Sequence, residues 1–220
     1  MQAIELMTDE IPPIKTSDTG VKALAWMDEL RVSHLPIVNN KAFLGLISEN
    51  DILDLNAPND PIGNHTLSLL RPFVYAHQHL YEVLRILSVN KLSLIPVVDE
   101  NENFLGSIKL STVLEKFAEM ASLKEPGGVI VLELNNHDYS LTEIAKIVES
   151  NDAKILSLYI SSSVESTKLE VTLKINRTDL SAILQTFYRF NYTVKSTIHE
   201  NEADAGTKDR FDSFLSYLNV

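Results

Sequence analysis

The chain has 220 residues, of which 45% are hydrophobic and 22% are charged, and this composition predicts a folded protein with two compact domains. A formal net charge of −11 opposes binding to nucleic acid, and the absence of cysteine excludes disulfides, thiolate zinc sites and cysteine nucleophiles. The first residues lack the basic start and apolar run of a signal peptide, and no later stretch is long enough to cross a bilayer. The sequence therefore predicts a cytoplasmic protein that binds neither nucleic acid nor a membrane.

The first predicted unit is an amphipathic helix followed by a hairpin and a second helix. Apolar residues between Val21 and Leu30 recur at helical spacing, and Asp18 or Thr19 precedes them as a candidate N-cap. The hairpin and the second helix follow in HLPIVNNKAFLGLISENDIL, where a polar turn separates two apolar strands.

This unit occurs a second time. The segment LIPVVDENENFLGSIKLSTVL can be laid over the first hairpin, so that Pro96 falls on Pro36 and Gly106 falls on Gly45. An amphipathic helix with an apolar stripe over 80–87 precedes this copy too. Because one copy alone would leave a sheet face in water, the two copies are expected to pack together.

Both copies resemble CBS domains. In the first copy the Met7-Thr8 opening, the strand over 35–38 and the ending Gly45–Asp51 fall in the order of that family. The resemblance implies a pseudo-twofold pair, whose clefts in many relatives bind AMP, ADP, ATP, S-adenosylmethionine or NAD. It therefore implies a non-catalytic regulatory protein that senses an adenosyl nucleotide, requires no cofactor, forms a homodimer and acts on its own second domain or on a protein partner.

The resemblance places one nucleotide site in the first copy. Asp51 is expected to accept the ribose hydroxyls, while Ser48 and the free N–H groups of the following helix face a phosphate. Leu35 and Ile37 are expected to form an apolar wall for the purine. The expected site residues are Met7 and Thr8, which close the cleft, His34, Leu35, Pro36, Ile37, Ser48, Asp51, and Lys109, which reaches a phosphate.

A second explanation of the same motif needs no ligand. Ser48-x-x-Asp51 is also a capping box, in which Ser48 caps the helix and Asp51 accepts from the Ser48 N–H. The alternative function is then a ligand-free dimeric scaffold. In the second copy Lys109 and Thr112 occupy the aligned positions, and a threonine cannot hold a ribose diol as a carboxylate does. We therefore expect at most one ordinary nucleotide site in the chain.

The second half is predicted to be a ferredoxin-like βαββαβ domain, so that the fold class of the chain is α/β of the α+β type. Strands are expected over 129–134, 153–161, 168–175 and 192–198, and helices over 141–148 and 180–188. The region is similar to ACT domains, which in relatives bind amino acids or dimerise through their sheets. The order of the domains resembles that of acetoin-utilisation-type regulatory proteins.

One loop departs from the ACT pattern. The segment Asn136–Leu141 lies where that family places an Asp-x-Pro-Gly-x-Leu turn. Tyr139 replaces the glycine that lets a ligand approach the backbone, and Asp138 replaces the proline. Dimerisation is therefore favoured for this domain, with amino-acid sensing as the alternative.

The sequence also predicts where the domains end. The predicted segments are the first CBS motif (1–58), the second CBS motif (59–122), a linker (123–127), the ACT-like domain (128–199), and a polar linker with a C-terminal amphipathic helix (200–220). The six histidines form no metal pattern, and no residues combine a nucleophile with a base. Neither a metal site nor catalytic residues are predicted.

Overall fold

The computed structural model describes residues 1–65, 69–162 and 168–198. Its backbone contacts divide the chain into two compact units, Met1–Lys116 and Phe117–Val220. The division lies inside a helix, upstream of the predicted linker at 123–127. The predicted polar linker and amphipathic helix at 200–220 lie outside the described residues.

The first unit contains the predicted duplication of a helix, a hairpin and a second helix. Its elements are α1 (Ala3–Leu6), α2 (Gly20–Leu30), β1 (His34–Asn39), β2 (Ala42–Ser48), α3 (Glu49–Leu53), β3 (Val74–Tyr75), α4 (Leu80–Asn90), β4 (Leu94–Val98), β5 (Phe104–Lys109) and α5 (Leu110–Met120), which continues into the second unit. The pairs β1–β2 and β4–β5 are antiparallel, with a bulge at the same point of each hairpin, after Ile37 and after Val97. The predicted repeat is therefore confirmed.

The two long helices of the repeat begin and end in similar ways. Thr19 is the N-cap of α2, and its hydroxyl accepts from the Lys22 N–H at 3.3 Å. Arg31 and Lys91 follow the ends of α2 and α4 in the left-handed conformation, with φ of 53° and 51°. After each of these two helices, the backbone turns into the strand that follows.

Each hairpin sheet is extended by a segment from the other copy. The Thr8 N–H donates to the Ser107 carbonyl at 2.9 Å, and the Ser107 N–H donates back to Thr8 at 3.1 Å. In the first copy, the Leu46 N–H donates to the Leu70 carbonyl at 2.8 Å. We call these two connections the strand exchange. They explain why the copies pack into one apolar core, as predicted.

The second unit has the predicted βαββαβ order. Its elements are β6 (Gly128–Asn135), α6 (Leu141–Glu149), β7 (Ile155–Ser162), β8 (Lys168–Ile175), α7 (Ser181–Arg189) and β9 (Thr193–Ile198). The strands lie in the order β7-β8-β6-β9, and every neighbouring pair is antiparallel. This is the ferredoxin-like topology.

The core of this unit lies between one face of the sheet and both helices. Burial alternates along β6, where Ile130 and Leu132 are buried and belong to the same apolar cluster as Ile144 of α6 and Phe187 of α7. The predicted fold class is confirmed for both units. Within the described part of the chain, the search for a helix with the length and apolar character of a membrane span found none.

Gly106 gives a test of the strand exchange, because a Cβ atom there would lie 2.6 Å from Met7 Cγ and 2.9 Å from the Thr8 carbonyl oxygen. We expect Gly106→Ala to lower the free energy of unfolding by about 1–3 kcal/mol, as overpacking does elsewhere. Urea unfolding followed by the fluorescence of Trp26, the single tryptophan, measures this change.

Ser107, next to Gly106, provides a control in which stability is not expected to fall. The Ser107 hydroxyl is fully buried and has no hydrogen-bond partner among the described residues. Ser107→Ala should therefore leave stability unchanged or raise it by about 1 kcal/mol. Equal stability of the Gly106→Ala protein and the wild type would contradict the close packing of Met7 and Thr8 on β5.

Candidate functional site

Ser48 and Asp51 form the capping box that the sequence allows. The Ser48 hydroxyl accepts from the Asp51 N–H at 3.1 Å, and the Ser48 N–H donates to Asp51 Oδ2 at 2.8 Å. The Ser48 hydroxyl also donates to this oxygen, at 2.7 Å. Oδ1 forms no hydrogen bond within the described residues, so one of the two carboxylate oxygens is available to a ligand.

The first turn of α3 offers fewer free donors than the sequence suggested. The Glu49 N–H donates to the Ser33 carbonyl at 3.0 Å, and the Asp51 N–H donates to Ser48. The expectation of free N–H groups facing a phosphate is therefore wrong for Glu49 and Asp51. The capping box and the chain before β1 satisfy these groups within the protein.

The expectation that Leu35 and Ile37 form an apolar wall for the purine is also wrong. Leu35 is 0% exposed and Ile37 is 1% exposed, and Pro36 between them is buried as well. Because both faces of β1 are covered over these residues, their side chains belong to the core of the first unit. They cannot line an open cleft in this arrangement.

Met7 and Thr8 lie against the second copy. Thr8 pairs with Ser107 on β5, and Met7 packs over Gly106. The expectation that they close the cleft beside Asp51 is therefore wrong, because the strand exchange carries them to the other copy.

The sequence alone did not identify the segment that packs on β2 of the first copy, where Met7 and Thr8 pack on β5 of the second. Leu69 packs against Gly45, and Leu70, which is 63% exposed, pairs with Leu46 two residues before Ser48. The repeat could have revealed Leu69 and Leu70, because they open the second copy as Met7 and Thr8 open the first. Leu70 thus offers exposed apolar surface beside β2, the strand that ends at Ser48.

Lys109 ends β5 opposite Leu94 and is partly buried. It shares this strand with Ser107, and it forms no ion pair within the described residues. Its backbone position places it with the second copy, and its reach to a phosphate in the first copy stays a prediction.

His34 connects the two copies beside Ser48, its partner on β2. Its Nδ1 accepts from the Ser93 N–H at 3.3 Å and lies 3.0 Å from the Ser93 hydroxyl, which itself accepts from the Ser33 N–H at 3.0 Å. An Nδ1 that accepts requires the neutral imidazole. Burial lowers the pKa of His34 below its usual value, and the Asp51 carboxylate partly opposes this shift.

A cavity of about 580 Å³ lies beside the helices of the first copy. Arg31, Ser33, Glu49, Leu53 and Ser93 contribute to its lining, together with residues of α2. None of the nine expected site residues lines it, although Glu49 is adjacent to Ser48. This cavity therefore does not coincide with the expected nucleotide site.

The loop before α6 gives no support to amino-acid binding. Tyr139 has an ordinary φ of −71°, and its side chain packs against the core of the second unit. A cavity of about 320 Å³ beside this loop carries the carboxylates of Asp138 and Glu143, which repel the carboxylate of an amino acid, and that of Glu133, which is paired with Lys168. Among the described residues, no group of three His, Asp or Glu side chains could hold a metal ion.

Comparisons with known proteins concern mainly the first unit. Residues 3–57 and 70–119 match the model of the CBS domain. The chain is 22% identical over 143 residues to an inosine-5'-monophosphate dehydrogenase of Methanocaldococcus jannaschii, which covers 63% of this chain and 28% of that protein. The chain spans less than half the length of the curated relatives that it matches.

Two solved structures are among those that match part of this chain. One is a CBS domain pair/ACT domain protein from Thermotoga maritima, with 24% identity and a TM-score of 0.49, covering 54% of this chain and 98% of that chain. The other is CBSX2 in complex with AMP, with 21% identity and a TM-score of 0.47, covering 54% of this chain and 96% of that one.

The protonation of His34 predicts a pH dependence of stability. Because its pKa is lower in the folded than in the unfolded protein, the unfolded state binds the proton first as the pH falls below about 6.5. The contribution of His34 is therefore fully present at neutral pH and is lost as the pH falls through the folded-state pKa. Urea unfolding at a series of pH values between about 7.5 and 5.5 measures this loss.

Two variants separate this effect from that of other groups. His34→Asn retains a side-chain acceptor but does not titrate, so its stability should fall less over the same pH range. Asp51→Asn removes the carboxylate that favours the imidazolium, so the pKa of His34, measured by NMR, should fall further. An unchanged pKa in that variant would refute the coupling between the two side chains.

Proposed function

Because the chain carries tandem CBS domains, we propose that its first unit is a regulatory sensor that binds one adenosyl nucleotide beside Asp51. The nucleotide is of the AMP, ATP, S-adenosylmethionine or NAD type. The protein is not an enzyme in this proposal, and binding is transmitted to the ACT-like domain or to a partner protein. The observation that carries the proposal is the unoccupied acceptor Oδ1 of Asp51.

The ribose would bind to this carboxylate. The Asp51 carboxylate accepts two hydrogen bonds from Ser48, so its side chain is already oriented before a ligand arrives. Oδ1 can then accept from a ribose hydroxyl as a charge-assisted hydrogen bond, which is stronger than one between neutral groups. Thr112, at the aligned position of the second copy, offers a single neutral hydroxyl.

The remaining parts of the nucleotide would meet residues from both copies. The exposed side chain of Leu70 supplies apolar surface for the purine. Lys109, without an ion pair in the described part of the chain, supplies positive charge for a phosphate. A nucleotide bound in this way would touch the first copy through Asp51 and the second copy through the other two residues.

Such contacts would make the nucleotide a regulator. A ligand shifts a conformational equilibrium only if it binds one arrangement more tightly than the other. A nucleotide that bridges the two copies depends on their relative positions, so its affinity differs between arrangements. This difference would reach the ACT-like domain or a partner protein.

Thermal unfolding with AMP, ATP, S-adenosylmethionine and NAD tests the proposal. A ligand of the folded state stabilises by about 2.7 kcal/mol at a hundredfold excess over Kd, and Tm rises with its concentration. We expect such a rise with at least one of the four in the wild type. Asp51→Asn keeps the shape of the side chain but loses its charge, so the rise should disappear.

Thr112→Ala is the matched control, because it alters the aligned position of the second copy. This variant should retain the nucleotide-dependent rise in Tm. A wild-type Tm that none of the four ligands changes, or an equal rise in the Asp51→Asn protein, would contradict the sensor.

A second function, that of a dimeric scaffold, is supported by exposed apolar residues. Leu53 of α3 is 64% exposed, and Leu114 of α5, at the aligned position of the second copy, is 63% exposed. The residue before each of them, Ile52 and Val113, is buried in the core. The first unit thus presents two equivalent leucines to solvent, as expected for a face that meets a second copy.

A double variant tests this face. Leu53→Glu with Leu114→Glu places charge on it, so the protein should change from dimer to monomer in size-exclusion chromatography with light scattering. Val89→Glu on α4 is the control, because Val89 is 70% exposed and is aligned with Glu29 of the first copy. A monomeric wild type, or a dimer that survives the double variant, would contradict the proposed face.

A further inference from the structure

The two helices of the second unit form a groove on their outer side. Glu143, Lys146 and Ile147 of α6, which recur at helical spacing, face Thr186 and Arg189 of α7. Phe190, directly after α7, closes one end. The groove has a volume of about 630 Å³, which is large enough for a small molecule. We call it the α6–α7 groove.

The floor of the groove offers apolar surface. Ile147 is 2% exposed and Thr186 is 6% exposed. The Thr186 hydroxyl already donates to the Ala182 carbonyl at 2.9 Å and lies 3.2 Å from the Asn151 amide nitrogen. Thr186 therefore presents mainly its methyl group, and the half-exposed ring of Phe190 adds a flat apolar wall.

The walls carry two cations and one carboxylate, so that positive charge is in excess. Lys146 and Arg189 both line the groove, and neither forms an ion pair within the described residues. The carboxylate of Glu143, which also lines the groove, accepts from the Tyr192 hydroxyl at 2.6 Å, and this neutral donor does not compensate its charge. Two cations on one groove are notable in a chain whose formal net charge is −11.

We propose that the α6–α7 groove binds a small organic acid that carries an apolar body. The carboxylate of the ligand lies between Lys146 and Arg189, and its apolar part covers Ile147 and contacts the ring of Phe190. This site lies within the second unit, separate from Asp51, and does not depend on the nucleotide proposal.

Both parts of the ligand follow from the chemistry of the groove. A guanidinium presents two parallel N–H donors that match a carboxylate, and an ammonium adds a second charge. An inorganic anion would satisfy Arg189 and Lys146 but would leave the half-exposed ring of Phe190 in water. A neutral apolar molecule would cover Ile147 but would leave the excess positive charge of the groove uncompensated.

Phenylacetate is a suitable probe, with phenylacetamide as its neutral counterpart of the same shape. In NMR titrations of the full chain up to about 10 mM, phenylacetate should cause saturable shifts of the backbone amides of Ile147 and Thr186. Phenylacetamide should bind at least about tenfold more weakly, because it lacks the charge.

Variants of the two cations test the geometry. Lys146→Gln with Arg189→Gln should weaken phenylacetate binding by about tenfold or more, while circular dichroism shows an unchanged fold. Lys154→Gln, an exposed cation of the same unit outside the groove, should bind phenylacetate as the wild type does. Phe190→Ala, which removes the wall but no charge, should also weaken binding.

Three results would overturn the proposal. They are the absence of saturable shifts at Ile147 and Thr186, equal affinity for phenylacetate and phenylacetamide, and unchanged affinity in the double variant. Each can be observed whether or not a nucleotide binds beside Asp51, so failure here is distinguishable from failure of the nucleotide sensor.

Discussion

The first unit depends on the backbone hydrogen bonds that each copy of the repeat receives from the other. Without the Thr8–Ser107 and Leu46–Leu70 pairs, two hairpin sheets would end in unpaired N–H and C=O groups. Because the cost of an unpaired buried backbone group is comparable to that of a lost hydrogen bond, neither copy is a complete folding unit. The duplication is therefore a structural requirement, and the shared apolar core follows from it.

The same constraint determines which residues can meet at a ligand site. In the proposed nucleotide site, Asp51 would act together with the segment at Leu70, which belongs to the other copy and pairs with Leu46. Residues of one continuous motif, such as Met7 and Asp51, are instead separated between the two sheets. The proposed site would therefore be composite, and its affinity would depend on how the two copies are arranged.

The sequence predicted well what depends on local spacing. The hairpins, the βαββαβ order and the bond between Ser48 and Asp51 all follow from turn residues, periodicity or a three-residue separation. It failed at Leu35 and Ile37, since a strand that is apolar on both faces does not show which face is covered. It failed at Met7 and Thr8 because the crossing of the opening segment to β5 is a long-range contact that no local pattern encodes.

The aligned positions of the two copies show how the roles have separated. Ser33 and Ser93 occupy equivalent positions of the two copies, and the Ser33 N–H donates to the Ser93 hydroxyl where the copies meet. The residue that follows each serine differs between the copies. His34 accepts a hydrogen bond from the Ser93 N–H, whereas Leu94 is fully buried. The copy with His34 also holds the carboxylate of Asp51, which acts on the pKa of that histidine. Because the proposed ribose contact is made to this same carboxylate, nucleotide binding and the protonation of His34 are expected to be coupled.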